Sequence, residues 1–176
     1  MTEYFVQEDL IEAKKLKNKT LGIYFIFLGV YLAISAVLLV WYLRLPYKSP
    51  TIAGVKWIHY PLTILMVIFS AIYLGVKYKR VRKYYVMAFN LINARKETSV
   101  GTFLRYSESM QEKDGVDCKA LIFLEWNKYK NDYFERKVLV FYDRPFPEIP
   151  EKAQAKYVTQ GNVLYSYEIL STEENT

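Results

Sequence analysis

The chain has 176 residues, with 24 Lys and Arg against 18 Asp and Glu, and is 52% hydrophobic and 17% aromatic. That length suits one domain or two small ones, and the composition is too apolar for a disordered chain. One cysteine, Cys118, and one histidine, His59, exclude an internal disulfide framework, an all-cysteine metal site and any two-histidine metal site.

Residues 1–20 carry four acids (Glu3, Glu8, Asp9, Glu12) and then four lysines (Lys14, Lys15, Lys17, Lys19). Val6, Leu10 and Ala13 share one helical face. The tail is therefore expected to be cytoplasmic and to form a short interfacial helix resting on the folded domain. From Leu21 to Leu43 no residue bears a formal charge, and Lys19 and Arg44 flank the stretch. A helix of that length rises about 35 Å, enough for a hydrocarbon core of roughly 30 Å. Residues 57–76, from Trp57 to Val76, form a second uncharged stretch, with Pro61 expected in its first turn. Both read as transmembrane helices joined by a short external loop, 44–56. The acidic leader and the length of the first stretch favour a retained anchor over a cleaved signal peptide.

Basic residues set the orientation. Eleven flank the two outer ends of the pair, and the loop has only Arg44, Lys48 and Lys56. The expectation is a multi-pass protein of the cell membrane with both termini cytoplasmic. Trp41, Tyr42, Trp57 and Tyr60 would then share the outer interface, and Tyr24, Tyr73 and Tyr78 would lie toward the inner one. Gly29 with Ala33, and Ala71 with Gly75, make small-xxx-small pairs, which are candidate helix-packing positions within the hairpin or against a second copy. No Asp, Glu, Lys or Arg lies inside either stretch, which argues against transport by this chain alone.

Residues 77–98 carry a net charge of +6. Val81, Tyr85, Ala88, Phe89 and Ile92 recur at helical spacing, so this juxtamembrane segment is expected to continue the second helix. Lys77, Lys79, Arg80, Arg82 and Lys83 are candidate contacts for anionic lipid headgroups.

Near Ser99 the period changes to two. Runs at 100–106, 118–126, 138–142, 157–158 and 163–169 are rich in β-branched and aromatic residues and read as strands. Asp114-Gly115, residues 127–132 and Gly161-Asn162 supply the turns, and Pro145, Pro147 and Pro150 mark a connector. The fold class expected is membrane α + β: a two-helix transmembrane hairpin, then a small cytoplasmic all-β barrel over 99–170, SH3-like or OB-like, of about five strands, with a tail at 171–176. Several strands look apolar on both faces, which calls for a tightly filled barrel or an outer face packed on a neighbour such as helix 77–98. The layout resembles that of small bacterial membrane proteins of the NfeD type, whose terminal domain is an OB-like barrel. The resemblance is architectural and carries no residue role with it.

The sequence holds no G-x-S-x-G, H-E-x-x-H, P-loop or G-x-G-x-x-G pattern. Cys118 reads as a buried thiol and His59 as an interfacial anchor. Glu108, Glu112, Asp114 and Asp117 gather near the first turn, where a solvated loop is expected and a carboxylate-based enzyme site is the sharper alternative. Residues 99–176 have 10 basic and 13 acidic side chains, so no nucleic acid is expected as a partner. No cofactor, metal or small-molecule substrate is expected either. The function expected is that of a non-enzymatic integral membrane protein holding a protein-interaction module in the cytoplasm, with self-association or a protein partner. The alternative is an accessory subunit of a transporter or channel complex.

Overall fold

The structure, a computed structural model, describes residues 1–171. It comprises two long apolar helices and a mixed sheet, and the chain divides into two compact units. Residues 15–82 form a helical unit, and residues 1–14 with the described residues from 83 onward form a strand-rich unit.

A two-residue strand, β1 (Thr2–Glu3), precedes helix α1 (Gln7–Arg44). The helix opens with half of a capping box: Asp9 reaches back to accept the Val6 N–H at 2.7 Å. It continues without a break from the charged tail into the apolar stretch and stops one residue before Leu45-Pro46, where the proline disfavours helix in the preceding residue. Helix α2 (Thr51–Ile72) starts six residues earlier than the apolar run suggests, so the connection shrinks to residues 45–50. Pro61 consequently sits in the helix interior and not its first turn. Its missing N–H leaves the Trp57 carbonyl without its usual helical donor. A π-helical segment (Tyr73–Tyr78) links α2 to α3 (Lys79–Asn93) with no intervening loop.

Within the helical unit, α1 and α2 meet through large side chains. The Tyr73 hydroxyl donates to the Thr20 carbonyl at 2.9 Å. The Tyr24 hydroxyl donates to Ser70 Oγ at 3.3 Å, and Ser70 donates onward to the Met66 carbonyl at 2.7 Å. Tyr31 and Thr63 share a hydrogen bond of 3.1 Å, and Thr63 donates to the His59 carbonyl at 2.9 Å. Phe69 fills the gap between these bonds, 5.2 Å from the rings of both Phe27 and Tyr73. Each hydroxyl thus finds a partner inside the seam, as an apolar surrounding requires.

The strand-rich unit adds β2 (Glu97–Tyr106), β3 (Gln111–Lys113), β4 (Val116–Asn127), β5 (Asp132–Phe141), β6 (Gln154–Gln160) and β7 (Val163–Ser171). The expected turns are present. Asp114 and Gly115 have φ of 53° and 80°, and Gly161 and Asn162 have 53° and 67°, the paired left-handed residues that two-residue hairpins demand. Pairing runs β2–β4, β4–β5, β5–β7, β7–β6 and β6–β2, which returns to its starting strand. The β5–β7 contact is parallel, Leu139 opposite Val163, and the other four are antiparallel. β1 adds to β7, with Thr2 opposite Tyr167, and β3 folds back on β4.

Two apolar clusters explain why the strands look apolar on both faces. Phe103, Leu121, Phe123, Val138, Val140, Tyr157 and Leu164 form one. Cys118, Ala120, Leu139, Phe141 and Val163 form the other, beneath Met87, Ala88 and Leu91 of α3 and Phe5 and Ala13 of the N-terminal segment. The buried face of α3 is therefore Tyr84, Met87, Ala88 and Leu91, and Phe89 turns outward onto Tyr85, 6.3 Å away.

Candidate functional site

Of the five basic residues singled out as lipid contacts, Lys79, Arg80, Arg82 and Lys83 lie in the first two turns of α3. Lys77 lies in the π-helical segment with Nζ 5.4 Å from the Tyr73 ring centroid, a cation–π distance. Lys83 stretches over Gly115, so close that a Cβ there would collide with it.

The small-residue pairs lie outside the seam. Gly29, Ala33, Ala71 and Gly75 are all exposed, and a Cβ added at either glycine would meet nothing within 4 Å. The hairpin is built on tyrosine and hydroxyl contacts, leaving the small residues facing outward. Tyr24 and Tyr73 stack on each other at 6.2 Å, so two of the three tyrosines assigned to the inner interface also join the helices.

In the strand-rich unit Cys118 is fully buried, and burial pushes its thiol up to about 11. That suits an inert core thiol, since the thiolate is the reactive form. Among the described residues no group of three or more His, Cys, Asp or Glu could hold a metal ion. Glu108, Glu112 and Asp114 are exposed. A part-buried polar cluster that sequence reasoning missed lies elsewhere. Arg136 donates to Ser99 Oγ at 2.8 Å, Thr159 Oγ1 at 3.2 Å, Asn162 Oδ1 at 3.2 Å and Glu125 Oε1 at 3.5 Å, and Tyr157 donates to Glu125. Burial raises the Glu125 carboxyl above its ordinary range, against the opposing charge of Arg136. The cluster ties β2, β4, β5 and β6 together, and its members satisfy one another.

The most exposed chemistry is at the tip of the β4–β5 hairpin. Trp126 and Tyr133 are cross-strand partners, their rings edge to face at 4.9 Å. Asn127 Oδ1 accepts the backbone N–H groups of Tyr129 and Lys130 at 2.9 and 3.2 Å, which orders the turn. Tyr129 is fully exposed, with Tyr133, Phe134, Lys128 and Lys130 exposed around it. Aromatic side chains on an ordered turn offer large contact area at low entropic cost, which suits protein contact. The signal was legible as aromatics flanking the turn at 127–132.

No family model matches the chain, and no curated protein or solved structure matches it.

Proposed function

We propose that this chain is a non-enzymatic integral membrane protein whose two apolar helices anchor a cytoplasmic protein-interaction module. The observation that carries the membrane reading is the outward surface of both helices. Leu43, Val37, Ile26 and Leu65 are 72%, 69%, 67% and 63% exposed, and the apolar cover extends along both helices. A contiguous apolar face of that extent is costly in water and favourable in lipid. The pairing of the Tyr24, Tyr31, Thr63, Ser70 and Tyr73 hydroxyls within the seam supports the same reading. The excess of Lys and Arg beside the outer helix ends favours both termini in the cytoplasm and the cell membrane as the location.

The closed pairing circuit supports a barrel, and the parallel contact between its third and fifth strands favours the OB-like order over the SH3-like one. The aromatic tip of β4–β5 is the surface best suited to a protein partner. The outward small residues Gly29, Ala33, Ala71 and Gly75 leave room for a neighbouring helix, which supports self-association or docking as an accessory subunit of a larger transporter or channel complex.

Membrane fractionation tests the anchor. The protein is expected to stay in the pellet through alkaline carbonate washing, and tags at both termini are expected to resist protease in intact cells. Release by carbonate ends the membrane reading. Photo-crosslinking tests the surface. A crosslinker at Tyr129 is expected to trap a discrete partner that one at exposed Glu151 does not.

A further inference from the structure

The seam of the hairpin is closed at one end and open at the other. Near the 45–50 connection lies a cavity of about 350 Å³, lined by Ser35, Leu38, Tyr42, Val55, Lys56 and His59. His59 Nδ1 is buried there with no hydrogen-bond partner, and Ser35 Oγ is buried with only the Tyr31 hydroxyl beside it. Elsewhere in the seam every hydroxyl described above is paired, so these two atoms mark a place where the chain leaves a ligand's share of hydrogen bonding unmade.

The chemistry around the cavity has one sign. Lys56, the Ser35, Tyr42 and Tyr60 hydroxyls and the imidazole can all donate, and no carboxylate lines the wall. Helix α2 begins a turn away with no acid in its first turn and no side-chain cap on Pro50, so its positive end is unneutralised by its own residues. Such a set calls for an anion with several acceptor oxygens.

A second hollow of about 400 Å³ adjoins it, sharing Lys56 and Tyr60 and continuing over Trp57, Pro61 and Ile64. That wall is apolar. A polar, donor-lined cavity opening onto an apolar groove matches an amphiphile more closely than a free ion.

We propose that the loop end of the hairpin binds one phospholipid, its phosphate held by Lys56, Ser35 and His59 and an acyl chain lying along Trp57, Pro61 and Ile64. This rests on the membrane reading above. Lys56 is exposed and bridges the two hollows, which makes it the residue that couples headgroup to chain.

Native mass spectrometry of the full chain, purified in detergent and offered phosphatidylglycerol, tests the site. The wild type is expected to retain one lipid. Lys56→Gln combined with Ser35→Ala is expected to weaken retention by about tenfold or more. Lys152→Gln with Lys156→Gln, which removes two positive charges outside the cavity, is expected to leave it unchanged. Helical circular dichroism of each variant shows that the hairpin is intact. Equal retention by the cavity variant, or equal retention of uncharged diacylglycerol, overturns the proposal. Complete displacement by millimolar inorganic phosphate also overturns it, in favour of a free-anion site. Failure of the anchor itself shows separately, as release in the carbonate wash.

Discussion

Arg144 shows how much can depend on one side chain in the strand-rich unit. Its Nη2 lies 2.5 Å from Asp9 Oδ1 and its Nη1 3.0 Å from Asp9 Oδ2, a bidentate pair. Nη1 also donates to the Tyr4 carbonyl at 3.1 Å, and the guanidinium lies 4.6 Å from the Phe5 ring centroid. Burial pulls the Asp9 carboxyl upward, but the hydrogen bonds from Arg144 and the Val6 N–H, with the Arg144 charge, hold it below its ordinary value. A carboxyl with a lowered folded-state pKa adds stability that is complete above the unfolded value, about 3.9, and lost as pH falls through the folded one. Asp9→Asn is expected to cost about 1–3 kcal/mol at pH 7. Urea midpoints in detergent, taken from pH 7 down to pH 2, are expected to show the two proteins converging in acid. A gap that stays constant to pH 2 refutes the pairing. The turn residues Asp114, Gly115, Gly161 and Asn162 were legible in sequence because the chemistry of a two-residue hairpin is local. The Asp9–Arg144 pair was not, because 135 residues separate its members. At Gly115, φ of 80° and the Lys83 chain overhead both oppose a side chain. Gly115→Ala is therefore expected to lower the midpoint as well, by about 1 kcal/mol or more.

At the scale of elements, the helices illustrate what periodicity reports and what it omits. Uncharged length marked both helices correctly, because the cost of a charge in an apolar setting is large. It misplaced the start of α2, since Thr51–Lys56 is helical without being strongly apolar. The small-xxx-small pairs offered contacts within the hairpin or with a second copy, and within the hairpin the structure uses other residues, with Tyr24, Phe27 and Tyr31 set against Thr63, Phe69, Ser70 and Tyr73. Tyrosines scattered through an apolar run look alike in sequence. Only the facing hydroxyls and carbonyls distinguish seam positions from interface ones. Tyr73→Phe removes the donor to the Thr20 carbonyl while keeping the ring between Phe69 and Tyr24. The expected loss is about 0.6–2 kcal/mol, read as a lower unfolding midpoint in detergent. Tyr78→Phe, one turn on and outside these contacts, is the control. Equal effects at the two sites refute the seam as the element that holds the hairpin. The β4–β5 tip makes the complementary point. Its strands were legible by alternation, but the exposure of Trp126 and Tyr129 depends on how far the hairpin extends past its last buried neighbours.

At the scale of the whole molecule, the strand-rich unit draws on the chain from both sides of residues 15–82 in the sequence. The sequence places the barrel at 99–170, with an N-terminal helix resting on it and a neighbour such as helix 77–98 as one choice of cover for its outer face. The compact unit that holds it also takes in residues 1–14 and the chain from Lys83. The reason is the second apolar cluster: Cys118, Ala120, Phe141 and Val163 are covered by Phe5, Ala13, Met87, Ala88 and Leu91, none of which lies beyond residue 98. Phe5 is fully buried, with its ring 5.6 Å from Phe141. Phe5→Ala is therefore expected to destabilise the unit by about 3–5 kcal/mol. It is also expected to speed maleimide labelling of Cys118, the thiol beneath that cover. A fragment restricted to 99–176 loses the whole cover together with β1, and keeps β2 from Ser99 onward and β3 to β7. Its expected behaviour is aggregation or strong binding of a hydrophobic dye, whereas residues 83–176 joined by a flexible linker to residues 1–14 are expected to give a soluble monomer with a cooperative unfolding transition. A fragment 99–176 that unfolds cooperatively as a monomer, with Cys118 protected, would show that the sheet closes without the helices. The two-ended construction of this unit would then be incidental to its stability.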